Sequence, residues 1–310
     1  MYSSVLLALI DTHLLILLAG YLISLIIGGP LSYYCGRPIV QRLHRLLARV
    51  GEKLNQRNIA TRVWRGVILT GLLLVSCLAL GMAISTSEVA AMLLAIFTGI
   101  QYQLWFAFRA LRAATHEDDA RLQQYAAAMT TPPQTGLDYH GTLRIILAEM
   151  AEHFTVLLVG GAFWFALLGP PGWLIYLTLA ACARYFPAQE DNWRAFGWAS
   201  SRLFRLMHIP PSFLAAGILI SAALLVPGTA PRAALRAYLR ATEAAYLHLT
   251  AALLGITLGG PYLRADKAIQ TPWIGEGRAQ IEPGALLRML LVYGAALTTF
   301  FIILLFIIVL

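Results

Sequence analysis

Residues 144–212 decide the fold, and they read RIILAEMAEHFTVLLVGGAFWFALLGPPGWLIYLTLAACARYFPAQEDNWRAFGWASSRLFRLMHIPPS. Three acid–base groups, Glu149, Glu152 and His153, stand at the start of a long apolar run. The run is interrupted by Gly-Pro-Pro-Gly at 169–172 and then continues to Cys182. Polar groups at the foot of a membrane segment, beside a Pro/Gly break, are typical of functional sites in membrane proteins.

The composition indicates an integral membrane protein. Of the 310 residues, 59% are hydrophobic and only 12% are charged, whereas a soluble domain has about 25% charged residues. The net charge is +8, almost all of it from arginine. The arginines cluster beside apolar segments, which favours positive-inside topology and contact with anionic lipid over nucleic-acid binding. We therefore expect the lipid bilayer as a partner and no nucleic acid.

The cysteine spacing and the missing motifs of soluble enzymes exclude several kinds of site. Cys35, Cys77 and Cys182 show no CxxC spacing, so we expect neither disulfides nor zinc. Phosphate-loop, dinucleotide, nucleophile-elbow and HExxH motifs are not found. The first apolar run is long enough to span and has no basic start, so we keep it as mature structure.

The chain reads as a single integral membrane domain, residues 1–310, of the all-α class. We predict a polytopic helical protein with about five to seven spans, amphipathic interfacial helices and, as one of two alternatives, a re-entrant helix pair. The first span, 5–28, contains Asp11 and His13, which either lie near the headgroups or form a polar site in the bundle. Further spans are predicted at 67–84 and 89–108, with Ser87 capping the second of them.

Two segments are predicted to be cytoplasmic. Residues 29–66 carry eight basic side chains and one acid, and the pattern after Pro38 predicts an amphipathic helix on the membrane surface. Residues 110–153 form a helical loop, in which HEDDARLQQYAAAM (116–129) reads as a soluble helix with acids in its first turn.

Glu149, Glu152 and His153 form the first candidate site. Their spacing of three and four residues places them on one helical face. Such a cluster can hold a magnesium ion or act in acid–base chemistry. An exposed interfacial cluster without a ligand is the equally open alternative.

Residues 154–186 form a Pro/Gly-broken membrane element. Its halves, 154–169 and 172–186, are each short for a span, so they make one kinked helix or a re-entrant pair. We expect a cytoplasmic connector at 187–211 and a short apolar run at 212–226. A basic amphipathic helix at 231–248 should continue to Gly260, followed by an irregular loop at 261–285 and a last span at 286–310. The basic helix carries Arg232, Arg236 and Arg240.

From about Arg65 to Gly277, ordered landmarks carry a family resemblance. They are RVWRGVILTGLLLV, EDDARLQQ, AEMAEHF, FWFALLGPPGWLIY, FGWASSRL, IPPSFLAA, LLGITLGGPYL and PWIGEG. In this order they resemble the CobD/CbiB family, the adenosylcobinamide-phosphate synthases of cobalamin biosynthesis, which share a superfamily with AmpE.

The resemblance implies a function and a set of site residues. It implies ATP-dependent amide joining of an aminopropanol phosphate to adenosylcobyric acid in a bacterial inner membrane, with Mg²⁺ and ATP. It makes Glu149, Glu152 and His153 catalytic, with the two glutamates as metal ligands. The substrate residues would be Arg121, Arg202, Gly259 and Gly260. A corrinoid precursor and a membrane protein partner would bind.

Most polar family positions differ in this chain, which predicts a degenerate active site. The acid of the family's early G-D-P is Gly29, the acid after A-E-N is Val156, and N-T-x-D falls on 180–183. The D-D pair falls on Phe204 and Arg205. Removing one such group commonly costs about two to three orders of magnitude in rate. A non-catalytic AmpE-like regulator or assembly partner is therefore the alternative, and a transporter is a weaker one.

Overall fold

The structure is a computed structural model, and it divides into two compact units. It describes residues 2–31, 37–56, 58–96, 100–130, 136–187, 192–264, 267–269 and 271–309. The first unit comprises Met1–Gly99, Val156–Pro211 and Leu310, and the second comprises Ile100–Thr155 and Ser212–Val309. Each unit is described by itself.

Helices account for most of the described residues, and four short strands follow the eleventh α-helix. The elements are α1 (Tyr2–Leu31), α2 (Arg37–Leu54), α3 (Ile59–Ser85), α4 (Glu88–Ile96), α5 (Ile100–Thr115), α6 (Asp119–Met129), α7 (Tyr139–Glu152), a π-helix (His153–Gly160), α8 (Gly161–Tyr185), α9 (Trp198–Ala223), α10 (Pro231–Arg240), α11 (Ala245–Leu254), β1 (Leu258–Gly259), β2 (Tyr262–Arg264), β3 (Lys267–Ile269), β4 (Trp273–Ile274) and α12 (Pro283–Val309).

The prediction of a helical membrane protein is confirmed. Four helical runs among the described residues are long and apolar enough to cross a bilayer: Ile59–Ser85, Tyr139–Tyr185, Trp198–Ala223 and Pro283–Val309. Helix α1 is also apolar over most of its 30 residues. The predicted span at 89–108 falls on α4 and α5, with 97–99 outside the described residues. The total of five to seven spans stays a prediction.

Local capping signals in the sequence are reproduced. The Ser87 hydroxyl accepts the Ala90 amide at 3.3 Å and begins α4, as predicted. Asp118 caps α6 by accepting the Arg121 amide at 3.1 Å, so a helix within the predicted segment 116–129 is also confirmed, and its exposure to the cytoplasm stays a prediction. A side-chain oxygen at the cap satisfies an amide that has no partner within the helix.

In the first unit, small residues allow α3 to pack closely on α8. A Cβ atom at Gly81 would lie 2.7 Å from the Pro171 nitrogen, and the Cys77 thiol lies 3.1 Å from the Thr178 hydroxyl. Close approach through small residues is the usual way in which helices associate in lipid. At the end of α8, Cys182 is buried in an aromatic cluster with Tyr185, Phe186 and Phe196.

The Pro/Gly break folds the chain back into a helical hairpin. Gly169 has φ 65° and ψ −156°, outside the helical region, and Pro170 begins the second arm. A Cβ at Gly160 would lie 2.6 Å from the Tyr176 ring, and one at Gly161 would lie 3.0 Å from Trp173 Nε1. In a straight helix, residues 160 and 176 would be about 24 Å apart. The two arms therefore pack antiparallel, so Tyr139–Tyr185 is not one straight span, and re-entry into the membrane stays a prediction.

A histidine of α1 lies against the tip of this hairpin. The His13 Nδ1 donates to the Ala166 carbonyl at 3.3 Å, and its ring lies edge-on to Phe165 at 5.8 Å. Carbonyls in the last turn of a helix have no partner within that helix. His13 thus caps the end of the first arm, and its position relative to the headgroups stays a prediction.

Three predicted boundaries were wrong. The connector at 187–211 is too long, because α9 already begins at Trp198 and runs to Ala223. The basic helix does not continue from 231 to Gly260, because it ends at Arg240 and Ala244 takes the left-handed conformation before α11. The loop at 261–285 is not wholly irregular, because it contains three of the four strands.

Candidate functional site

A glycine-rich loop in the second unit forms the first part of the candidate site. It is built from residues 253–260 and 272–277. Strand β1 pairs antiparallel with β4, so that Leu258 faces Ile274. Beside this pair, the Thr257 amide donates to the Arg278 carbonyl at 3.0 Å, and the Thr257 hydroxyl donates to the Gly277 carbonyl at 2.7 Å. The segments LLGITLGG and PWIGEG therefore form one structural unit.

Two glycines in this loop are required by conformation and by space. Gly259 and Gly260 have φ values of 79° and 94°, in the region that side chains disfavour. A Cβ at Gly259 would overlap the Pro272 carbonyl oxygen, and one at Gly260 would lie 2.7 Å from the Trp273 ring. Both predicted substrate-binding glycines thus lie inside the paired loop, and their closest neighbours are parts of that loop.

Arg144 of α7 attaches the loop to the helix. Its guanidinium donates to the Ala279 carbonyl at 2.9 Å and lies 5.0 Å from the centre of the Trp273 ring. It also approaches the Asp138 carboxylate at 3.5 Å, although that carboxylate is mostly exposed and already caps α7 through the Gly141 amide. Arg144 itself is buried. A buried cation with a loosely held counter-charge is costly unless it has a specific role.

His140 gives α7 a second attachment to the same loop, one turn before Arg144. Its Nδ1 atom lies 3.0 Å from the Ile281 carbonyl oxygen and 3.2 Å from the Ile281 amide nitrogen. Neither residue was among the predicted site residues. The available signal was an arginine inside the otherwise apolar stretch that leads to Glu149.

The predicted acid–base cluster lies at the other end of α7. Glu149 and His153 are buried, whereas Glu152 is partly exposed. The His153 Nδ1 is hydrogen-bonded to the Tyr293 hydroxyl of α12 at 2.9 Å. Glu149 follows Arg144 by five positions, which places it about 140° around the helix from the glycine-rich loop.

His153 also begins the π-helix, which ends at Gly160. Such widened turns occur often at functional sites because they change the direction in which side chains project. Tyr293 is fully buried, and its ring packs edge-on against Phe154 at 5.2 Å. The polar pair of His153 and Tyr293 is therefore held rigidly.

The donors of the predicted metal site fit magnesium in part. Glu149 and Glu152 supply carboxylate oxygens three positions apart on one helix, which is the donor type that Mg²⁺ prefers. No group of three or more His, Cys, Asp or Glu side chains converges anywhere in the part of the chain that the structure describes. Such a metal would therefore need water or substrate oxygens to complete its shell.

The two predicted substrate-binding arginines each contact a residue close by in the chain. Arg121 is exposed on α6, and its Nε lies 3.2 Å from Asp118 in the preceding turn. Arg202 is exposed on α9 in the first unit, with its guanidinium 6.0 Å from the centre of the Trp198 ring. Each arginine contacts a residue of its own segment, and their substrate-binding role stays a prediction.

The first unit contains a polar pair that sequence reasoning missed. The Tyr176 hydroxyl is hydrogen-bonded to His208 Nδ1 at 2.8 Å, and the His208 ring stacks on Phe204 at 5.2 Å. The Trp164 Nε1 donates to the Met207 carbonyl at 3.1 Å. Both arms of the hairpin are thus tied to α9 by polar side chains.

Comparison with known proteins places this architecture in a family. Residues 17–293 match the family model described as CobD/Cbib protein. The chain belongs to the CobD/CbiB family. The CobD/CbiB match covers both units described above, together with the hairpin and the glycine-rich loop.

Individual CobD proteins are similar over most of their length. The cobalamin biosynthesis protein CobD of Rhizobium meliloti (strain 1021) is 28% identical over 296 residues, covering 86% of this chain and 88% of that protein. The protein of the same name from Rhodobacter capsulatus is 26% identical over 295 residues, covering 89% and 91%. The one from Clostridium perfringens (strain 13 / Type A) is 19% identical over 284 residues, covering 86% and 89%. No solved structure matches the chain.

Proposed function

We propose that this protein acts in cobalamin biosynthesis, in a bacterial inner membrane, at the step that joins an aminopropanol phosphate to adenosylcobyric acid. The proposal rests on the family match over residues 17–293 and on similarity to relatives named cobalamin biosynthesis protein CobD. A corrinoid precursor would be the substrate. ATP would supply the driving force for the amide bond, as the family resemblance implies.

One observation of the structure carries the proposal. The two glycine-rich segments shared with the family pair with each other and are held on α7 by Arg144. The same helix carries Glu149 and Glu152. Because one rigid helix fixes both the loop and the carboxylates, a substrate large enough to extend around that helix would contact the loop and a metal held by the carboxylates.

Glu149 and Glu152 of α7, and His153 directly after them, would have separate roles in the reaction. Glu149 and Glu152 would hold a magnesium ion, which neutralises phosphate charge when bound. His153, fixed by its bond to Tyr293, would hold or move a proton at the amine that attacks. Arg121, Arg202 and the loop at Gly259 and Gly260 would contact the substrate.

The active site is degenerate in our proposal, so turnover by this chain alone is slow or absent. Position 156, an acid in the family pattern, is a buried valine. Position 204, an acid in that pattern, is a phenylalanine whose ring stacks on His208. Losing several phosphate- and metal-binding groups removes more transition-state stabilisation than the remaining carboxylates can replace.

A non-catalytic role as an AmpE-like regulator or assembly partner is the second candidate. The observation that favours it is the loss of the polar side chains of the family's N-T-x-D element, whose positions are Ala180, Ala181 and Ala183 in this chain. Ala181 is partly buried and packs against the cluster of Cys182, Tyr185, Phe186 and Phe196. A position that is polar in the family pattern therefore makes an apolar contact here, which stabilises the fold.

Complementation, combined with a corrinoid-binding measurement on the purified chain, separates the two candidates. The chain is expressed in cells that lack their own cobinamide-phosphate synthase, and growth is made to depend on cobalamin formed from cobyric acid. A functional family member serves as the positive control, and membrane insertion of each variant is verified. Glu149→Gln and Glu152→Gln remove the proposed metal ligands, while Glu52→Gln on the exposed face of α2 is a matched control.

Growth that Glu149→Gln and Glu152→Gln abolish and Glu52→Gln preserves would establish an active synthase and contradict the degenerate site. Absence of growth, together with binding of adenosylcobyric acid by the purified chain, is the result we expect. If the purified chain binds no corrinoid and supports no growth, the substrate assignment is wrong and the regulatory candidate takes its place.

A further inference from the structure

The basic helix α10 presents three arginines in a single row. Arg232, Arg236 and Arg240 follow one another at four-residue spacing, so each lies about one turn and 6 Å beyond the last. All three are exposed. None of them makes a hydrogen bond or an ion pair with another residue in the described part of the chain.

The opposite side of α10 fixes the orientation of this arginine row. Ala234 and Tyr238 are buried, and the Tyr238 hydroxyl is hydrogen-bonded to the Ser212 hydroxyl at 2.9 Å. The Tyr238 ring also packs edge-on against Phe213 at 5.6 Å. The helix therefore cannot rotate to bring its arginines into the protein.

The same contacts indicate the depth of the row in the membrane. The segment before α10 is tied to the end of α9, because the Thr229 hydroxyl donates to the Ala223 carbonyl at 2.8 Å. Tyr238, however, contacts Ser212, which precedes Ala223 by eleven residues, or about 16 Å of helix. That length is about half of a hydrocarbon core of roughly 30 Å. Helix α10 therefore returns alongside the second half of a candidate span.

Arginines at membrane depth are rarely directed into lipid. They face water-filled cavities or ligands, because exposing a charge to hydrocarbon is costly. Three unpaired cations in a row also repel one another unless an anion lies between them. Arginine binds phosphate through two parallel hydrogen bonds, which makes it suited to this anion.

We propose that the arginine row binds a soluble organic phosphate, with two neighbouring arginines holding adjacent phosphate groups. The assignment of that phosphate to a substrate of amide joining, either the nucleotide or the phosphorylated amine, rests on the proposed function. Leu235 and Leu239, which are 45% and 65% exposed beside the row, would contact the apolar part of the ligand or the surrounding lipid.

Binding of inorganic pyrophosphate to the purified full-length chain in detergent tests this inference. By calorimetry at low salt, Arg236→Gln and Arg240→Gln should each raise the Kd about tenfold or more, since each removes a charge-assisted hydrogen bond. Arg236→Lys should retain part of the binding. Arg49→Gln on the exposed face of α2 removes the same charge elsewhere and should leave the Kd unchanged. Size-exclusion chromatography verifies that each variant is folded.

Three outcomes would overturn the inference: no pyrophosphate binding, equal loss on Arg49→Gln, or loss of binding in phosphatidylglycerol nanodiscs with retention in phosphatidylcholine nanodiscs. The last would identify the occupant as a lipid headgroup. Adenosylcobyric acid binding is measured on the same preparations. Intact corrinoid binding without pyrophosphate binding contradicts the arginine row alone. Pyrophosphate binding with neither corrinoid binding nor complementation contradicts the proposed function and leaves the phosphate site in place.

Discussion

Replacing Gly169 with alanine tests the helical hairpin directly. Gly169 has φ 65° and ψ −156°, a combination that is almost confined to glycine. This conformation lets the chain reverse between the two arms. The loss of unfolding free energy when alanine occupies position 169 therefore measures how much the hairpin depends on glycine.

The expected loss of unfolding free energy has two parts, one from the backbone conformation at residue 169 and one from the contact with His13. Holding alanine in this backbone conformation costs on the order of 1–3 kcal/mol. The new Cβ would lie 2.8 Å from His13 Nε2, whereas carbon contacts are favourable at about 3.5–4.0 Å. His13 must move, and its 3.3 Å bond to the Ala166 carbonyl is worth about 0.5–1.5 kcal/mol. Together these terms predict a loss of about 2–4 kcal/mol.

Reversible unfolding by dodecyl sulfate in bicelles measures this loss. A loss of about 2–4 kcal/mol lowers the folding equilibrium constant roughly 30- to 1000-fold. Gly217→Ala is the matched control, because a Cβ at Gly217 has no neighbour within 4 Å and the residue lies inside α9. That control should be neutral or stabilising by up to about 1 kcal/mol.

A second background separates the two parts. In a His13→Ala chain the contact with the imidazole is gone, so Gly169→Ala should cost only the backbone part, about 1–3 kcal/mol. If Gly169→Ala were as mild as Gly217→Ala in both backgrounds, the reversal at Gly169 would be wrong and the element would be a continuous helix.

Three further predictions concern the loop, the polar pair and the core. Arg144→Gln should lower the free energy of unfolding by about 1.5–3 kcal/mol and increase deuterium uptake over 255–281. Asp138→Asn should lower it by less than about 1 kcal/mol, because this variant keeps the helix cap and loses only an exposed ion pair. Equal uptake in both variants would contradict the attachment of the loop by Arg144. Tyr293→Phe should lower the free energy of unfolding by about 1–3 kcal/mol, and its effect should not add to that of His153→Ala in a double-mutant cycle. Strict additivity would argue against the hydrogen bond between these two side chains. Cys182, with the other two cysteines changed to serine, should resist maleimide until the protein unfolds, and rapid labelling in the native state would contradict its burial.

Much of the fold follows from local features of the sequence. Apolar runs of about 20 residues predict spans because backbone groups in lipid must be satisfied within the helix. The cap at Ser87 and the break at Gly169 depend on one or two residues and their immediate neighbours. Such features can be predicted because their causes lie within a few residues of their effects.

The glycine-rich loop shows where prediction from sequence ends. The motifs LLGITLGG and PWIGEG could each be recognised, but the pairing of β1 with β4 joins segments about fifteen residues apart. The attachment to Arg144 joins residues 135 positions apart. Periodicity contains no information on such contacts, so Arg144 and His140 were not predicted.

What the sequence determined by itself was the membrane class, the positions of most helices, the Pro/Gly break at 169–172 and the family, because these depend on composition, local conformation and short motifs. The tertiary structure alone decided which polar residues meet: His13 at the hairpin tip, His153 with Tyr293, and Arg144 with Ala279. It also placed α10 beside the second half of α9. These contacts depend on how distant segments pack, and a buried polar group takes whichever partner that packing brings within hydrogen-bonding distance.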